Sequence, residues 1–393
     1  MPHDPLDLRH VLRDELEERR VSGYDVAKVE ADVGGALEDG SNSALMRALW
    51  LVEQTQRRPD WLYREPSTWD GIHSQLPPAP DLPRLRLDRW GLLDRLSAAW
   101  LGRAAGQHLG TPPRGWSHRQ IPLDYTLLGL AVLEADGFGF DTGRVAARWL
   151  ERLPILQTHT AERAAYRNLV LGLEPPATAA WRNPYREWVG AQIRADVWGY
   201  VSPGNPGRAA ALAYRDASLS HTGNGIYGEL WAAALLASSF VTSDVRSALQ
   251  AALGQVPTRS RFAEALREVL GMHAEGLAWA AARDRMRERW GRYHWMHAIG
   301  NAAVVAAALL WGEGDFGRTI SLAVQGGWDT DCNGATVGSV FGAMHGTALL
   351  PAPTVQQVGD RIGGAIVGSG GTPVPDLAER TCALALGETG SST

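Results

Sequence analysis

The chain has 393 residues, of which 45% are apolar, enough for one large domain with an extension and a substantial core. Its formal net charge of −5 includes no basic block, and Lys28 is the only lysine, which leaves no electrostatic footprint for nucleic acid. Cys332 and Cys382 are too few for a disulfide framework, the N-terminus carries acids where a signal peptide needs an apolar core, and the longest apolar runs, 230–236 and 302–311, are too short for a bilayer, so the expectation is a soluble cytoplasmic protein with no membrane partner.

In chain order, Leu8, Val11, Leu12 and Leu16 recur at helical spacing among charges, predicting an amphipathic helix within residues 1–20. Residues 24–58 read as further helix, interrupted at Gly34, Gly35, Gly40 and Ser41. Pro59, Pro66, Pro77, Pro78, Pro80 and Pro83 then exclude regular helix. Residues 1–88 therefore read as a helical extension with a proline-rich linker, and 89–393 as the main domain.

The main domain opens with WGLLDRLSAAWLGRAAGQHLG, where Leu92, Leu93, Leu96, Trp100 and Leu101 are followed by a bare stripe at Gly102, Gly106 and Gly110. A turn carrying Arg114 and Trp116 leads to a helix that starts at Asp124 and Tyr125, with Asp124 either its N-cap or a functional acid. Residues 181–195 predict a helix bearing Trp and Arg, 199–206 a turn, and 209–220 another helix. The next segment, 220–234, brings His221, Asn224, Tyr227 and Glu229 into a Gly-rich entry to an apolar helix. Glu229 is either a first-turn acid complementing the helix dipole or a carboxyl whose pKa is raised by apolar surroundings. His294, His297 and Asn301, spaced by three and four, predict one helical face. Without an HExxH pattern or a Cys pair they suit a polar pocket or interhelical hydrogen bonds better than zinc.

The stretch from Gly326 to Gly346 carries the most chemistry. Asp329 and Asp331 follow a Gly pair, and Gly334, Gly338, Gly342 and Gly346 then recur every four residues. This reads as an acid-bearing loop turning into a helix whose bare stripe allows close backbone approach. The acids can hold a hard cation or accept hydrogen bonds from a sugar, or Asp331 can be an N-cap with Asp329 in an Asx-turn. Trp116, Trp198, Trp295 and Trp328 lie in or beside Gly-rich segments, where an aromatic face can stack on a base or simply pack. Periodicity is helical almost throughout, with no βαβ rhythm and no phosphate-binding Gly motif, so the fold class is all-α.

The run Gly327-Trp328-Asp329-Thr330-Asp331-Cys332-Asn333 and the small-residue helix after it resemble the C-terminal signature of the ADP-ribosylglycohydrolase family. The Gly-striped first helix, Asp124-Tyr125-Thr126-Leu127-Leu128-Gly129-Leu130 and the 220–234 segment resemble it too, so the likeness spans roughly residues 90–385. It implies a compact multi-helix domain with a pocket where 110–126, 221–229, 294–301 and 327–333 converge. It also implies cleavage at ribose C1″, with two magnesium ions orienting the ribose hydroxyls and a carboxylate assisting water. The chain departs from the family at two places: Arg114 stands where a glutamate is expected, and Ser117–Leu123 lacks the run of acids that precedes the Tyr-Thr helix, leaving Asp124.

On this reading Asp329, Asp331, Glu229 and Asp124 are the catalytic candidates, and Asp329 and Asp331 the ligands for any Mg2+. Arg114, Tyr125, His221, Asn224, Tyr227, His294, His297, Trp328 and Asn333 are the substrate-binding candidates, with Arg114 placed to meet a phosphate or carboxylate. The expected activity is hydrolysis of an N- or O-ribosyl bond of a small nucleotide-derived metabolite. The alternatives are a catalytically inactive ribose- or ADP-ribose-binding module, and a metal-free lyase or cyclase of a specialised biosynthetic pathway.

Overall fold

The computed structural model describes residues 3–78, 80–111, 121–358, 361–362, 366 and 371–387. Helices dominate it, and the strands among the described residues are the two-residue pair Arg361–Ile362 and Thr372–Pro373. The N-terminal region forms helices Leu8–Val21, Glu30–Asp39 and Asn42–Glu53. Asp7 caps the first by accepting from the Arg9 N–H at 2.8 Å, and Ser41 caps the third by accepting from the Ala44 N–H at 3.3 Å. The second helix runs through Gly34 and Gly35, neither of which has a positive φ, and a Cβ at either would meet open space. The break falls at Gly40, whose φ of +70° suits glycine. Val11, Leu12, Leu45, Leu49 and Val52 make a small core of their own.

The proline-rich stretch is an ordered strap along its described length, with one short helix, Trp69–His73. It is tied to the main domain by backbone bonds, Arg64 N–H to Arg259 O at 3.0 Å and Thr258 N–H to Gln75 O at 3.1 Å. The Tyr214 hydroxyl adds an acceptor for the Trp69 N–H at 3.0 Å.

At the centre of the main domain, every residue of helices Gly223–Ser239 and Ala298–Trp311 is buried, which explains why both read as apolar all round. The closest packing joins helix Arg89–Gly110 to helix Thr330–His345. A Cβ on Gly102 would strike the Gly338 carbonyl, one on Gly106 the Gly334 carbonyl, and one on Gly342 the Ala98 carbonyl; one on Gly110 would lie 2.7 Å from Asp331 Cα. The two Gly stripes face each other, and the contact is backbone on backbone.

Two expected helices take other forms. Residues 181–190 are turns, followed by the short 3₁₀ segment Gln192–Arg194 and helix Asp196–Tyr200, because Pro184 and Gly190 interrupt any helical run. His294 and His297 precede the helix that carries Asn301, since His297 is the N-cap of Ala298–Trp311. The three side chains therefore do not share a helical face.

Gly106→Ala should lower the denaturant midpoint by an amount equivalent to about 1–3 kcal/mol, the usual cost of overpacking. Gly34→Ala, in open space, should leave stability unchanged or raise it by up to about 1 kcal/mol. Equal effects of the two substitutions would refute the backbone-contact account.

Candidate functional site

The Thr330–His345 helix carries Asp329 at its N-cap and Asp331 at its second residue, so Asp331 is not the cap. Both aspartates are buried, and with Cys332 they form a group whose potential ligand atoms all lie within 4.8 Å of one another. Three bonds fix this turn: the Thr330 hydroxyl donates to Gly110 O at 2.7 Å, and the Asp329 N–H and the Asn333 amide both donate to Asn301 Oδ1 at 2.9 Å. Asn301 is held in turn through donation to the carbonyls of Trp295 and His297 at 3.0 and 2.9 Å. Trp328 lies over Gly300, where any Cβ would collide with the indole, and takes the left-handed φ of +56°. Trp328 and Thr330 are half-buried, so the aspartate pair lies just below the surface.

The electrostatics of this pair set it apart. Asp196 is matched by the buried Arg103 at 2.6 Å, Glu162 and Asp216 by Arg194 at 3.0 and 2.6 Å, and Glu187 by Arg261 at 2.7 Å. Asp329 and Asp331 have no such arginine within 4.0 Å among the described residues. Burial and the neighbouring Asp331 push the Asp329 carboxyl well above the usual carboxylate range, against hydrogen bonds at Cys332. Burial and the two aspartates push the Cys332 thiol up as well, so it stays protonated.

The other expected site residues fall into two networks. Around Arg194, the guanidinium meets Asp216 and Glu162, donates to Ser220 Oγ at 3.0 Å, and stands over the rings of Tyr125 and Trp149 at 5.7 and 5.1 Å. Glu229 belongs here, 3.7 Å from Arg194 Nε and accepting from the Trp198 indole at 2.9 Å. Burial and then the Asp216 charge raise its pKa well above the ordinary value. His221 shares a 2.8 Å hydrogen bond with the neighbouring Ser220 hydroxyl, and burial beside Arg194 keeps it neutral. Asp124 is buried in the first turn of helix Ile121–Asp136, past the N-cap position, and is not a member of the compact Asp329 group.

The second network joins residues 1–88 to the main domain. Arg261 holds Glu65 through two bonds of 2.8 and 2.9 Å, together with Glu187. Glu187 accepts from the Asn224 amide at 3.1 Å and lies 3.5 Å from His297 Nε2. The Tyr227 hydroxyl donates to Pro66 O at 2.6 Å, and the Gly223 N–H to Ser67 Oγ at 3.0 Å. His294 stacks on Trp188 with ring centroids 4.1 Å apart and meets His3 edge-on. Tyr227, His294 and His297 thus meet the N-terminal extension and its strap, at Pro66, His3 and Glu18, while Asn224 bonds to Glu187 and to the Phe262 N–H. Arg114 and Trp116 lie outside the described residues.

Arg103 is a contributor that reading the sequence passed over, and Asn301 one that it named without placing it at the aspartate pair. Asn301 was visible only as part of a His-His-Asn spacing, and Arg103 sits unmarked inside a Gly stripe.

These features define an almost wholly helical domain with a paired-carboxylate centre at a helix N-terminus. The ADP-ribosylglycohydrolase family model matches residues 89–389, and the chain belongs to that family. A search of curated proteins gives no match. A solved structure described as an ADP-ribosylglycohydrolase-related protein complex is similar at 20% identity and a TM-score of 0.47, covering 76% of this chain and 99% of that one. No helix among the described residues is long and apolar enough to cross a membrane.

The extension interface has a pH signature. Burial and the Glu187 charge push the Glu18 carboxyl up to about 8, against Arg186 and Arg261. A carboxyl with a raised folded-state pKa binds its proton more tightly in the fold, so its contribution is complete below the unfolded value of 4.5 and is lost as pH rises towards about 8. Glu18→Gln should flatten the fall in melting temperature across that window, measured by thermal melts at several pH values. A parallel pair of pH profiles would exclude a protonated Glu18.

Proposed function

We propose that the chain is a divergent hydrolase of an N- or O-ribosyl bond in a small nucleotide-derived metabolite, with Asp329 and Asp331 as its reactive groups. The observation that carries this reading is a pair of buried carboxylates with no arginine within 4.0 Å among the described residues, whereas Asp196, Glu162, Asp216 and Glu187 are each matched by one. Burying such a pair costs stability unless a proton, a cation or a substrate answers the charge. The donor set suits one hard divalent cation, since two buried carboxylates lie close together and no arginine among the described residues competes. Asp329 and Asp331 would hold Mg2+, whose charge would neutralise the pair and orient ribose hydroxyls. A second ion lacks the acids that Ser117–Leu123 would have to supply.

The chain's own groups supply the rest of the chemistry. Asn301 fixes the Asp329 backbone, and the Asn333 amide shares the same acceptor, so the pair is pre-organised before substrate arrives. One of the two carboxyls holds a proton for the leaving group or takes one from water, around an oxocarbenium-like transition state. Trp328 offers a half-buried ring at the edge of the pair for a base or pyridine ring. Two free buried thiols, Cys332 and Cys382, fit a reducing compartment such as the cytoplasm.

A second reading, a ribose-binding module without turnover, is favoured by the strap, since Pro66 and Ser67 occupy the polar groups of Tyr227 and Gly223. Turnover assays on nicotinamide-ribosyl and ADP-ribosyl compounds, with magnesium titrated into chelator-stripped protein, separate the two. The hydrolase reading expects turnover that falls by roughly 10²–10⁴ in Asp329→Asn and Asp331→Asn chains that keep their helical circular dichroism. ADP-ribose binding with no turnover would establish the module instead.

A further inference from the structure

A cleft of about 740 Å³ lies away from the aspartate pair, where the first and third N-terminal helices meet residues 167–182 of the main domain. Arg9, Arg167 and Arg182 line it, against one acid, Asp7. Asp7 is committed to capping its helix through the Arg9 N–H. None of the three arginines has a carboxylate within 4.0 Å among the described residues, in a chain whose net charge is −5. Arg167 donates only to neutral acceptors, to Pro5 O at 2.6 Å, Asn168 Oδ1 at 2.9 Å, Trp181 O at 3.2 Å and Arg182 O at 2.9 Å. Arg9 donates to Leu37 O at 3.2 Å.

Arg182 is the least satisfied of the three. Its Nε–H is buried with no acceptor, and its backbone is held at φ +47°. Its guanidinium stands 4.5 Å from the centroid of Trp181, with that of Arg167 at 5.3 Å, so a ring face takes the place of an acid. Glu53 feels the Arg182 charge, but only at a distance beyond that of an ion pair. Burial and the Arg182 charge push Arg167 down to about 10, as expected of like charges held together without an anion. Leu45 and Met46 supply an apolar wall.

We propose that this cleft binds a small organic phosphate, its phosphoryl oxygens on the guanidinium groups and its apolar part against Leu45 and Met46. Planar forks matched to a tetrahedral oxyanion favour phosphate, and three guanidinium groups without a carboxylate within ion-pair distance suit a monoester near −2. The volume exceeds what inorganic phosphate needs and falls in the range of small-molecule sites. One wall comes from residues that precede the family-matched stretch of 89–389, so the site belongs to this chain's extension and is independent of the proposed hydrolysis.

Calorimetric titration of the full-length chain with phenyl phosphate at low salt tests it, with inorganic phosphate as the second probe. One site per chain is expected, tighter for phenyl phosphate than for inorganic phosphate. Arg9→Gln and Arg182→Gln should each weaken binding about tenfold or more, the scale of a charge-assisted pair. Asn42→Glu is the variant least exposed to misfolding: Asn42 is exposed at the first position of its helix, where an acid favours the dipole, and the new carboxylate would occupy the arginines and abolish binding. Asp329→Asn should bind phenyl phosphate as the parent does. The proposal falls if the parent chain gives no saturable heat with phenyl phosphate, if the three cleft variants bind unchanged, or if Asp329→Asn loses the heat.

Discussion

Where helix Arg89–Gly110 crosses helix Thr330–His345, side chains are absent from the seam and carbonyl meets Cα. That approach brings Gly110 O within 2.7 Å of the Thr330 hydroxyl and so sets the start of the second helix, where both aspartates stand. Dispersion contacts between backbones are individually small, and their sum depends on a separation that one methyl group would open. The position of the Asp329–Asp331 pair is thus a consequence of what is missing from two stripes of sequence.

Around this seam the interior is held by buried guanidinium groups. Arg103, Arg194 and Arg261 each collect carboxylates and carbonyls from different segments. Removing one partner of such a pair leaves a buried charge unanswered and costs about 3–5 kcal/mol, so these networks constrain the arrangement strongly. They also account for the acids that resemble catalytic ones. Glu229 has a raised pKa, yet its neighbours are Trp198, Arg194 and Asp216, which makes it part of the scaffold that seats its helix. Among the described residues the paired aspartates have no such arginine, in contrast to Asp196, Glu162, Asp216 and Glu187.

Residues 1–88 are more than a tether. Arg261 reaches Glu65, 196 positions earlier in the chain, and Arg186 reaches Glu15 across 171, so the extension completes the charge balance of the main domain. It also meets Tyr227, His294 and His297. Beside the aspartates, Trp328 and Thr330 keep part of their surface in solvent.

The helical class was legible from periodicity, because a 3.6-residue pattern is a local property that survives into the fold. So were the two bare stripes and the paired aspartates, which are marked by residue type at short spacing. Gly34 and Gly35 misled as helix breaks, since a glycine interrupts a helix only where the backbone or a neighbour demands it, as at Gly40 with its positive φ. Residues 181–195 misled in the other direction, because Pro184 and Gly190 outweighed a run of helix-compatible side chains. Which acid is answered by which arginine was decided only in three dimensions. Arg194 meets Glu162 and Asp216 from positions 32 and 22 residues away, and no local pattern encodes that choice. Helical class, the two Gly stripes and the residue types at the centre are local features that the amino-acid order carries. Which arginine answers which buried acid depends instead on which distant segments pack together, as Arg194 with Glu162 and Asp216 shows.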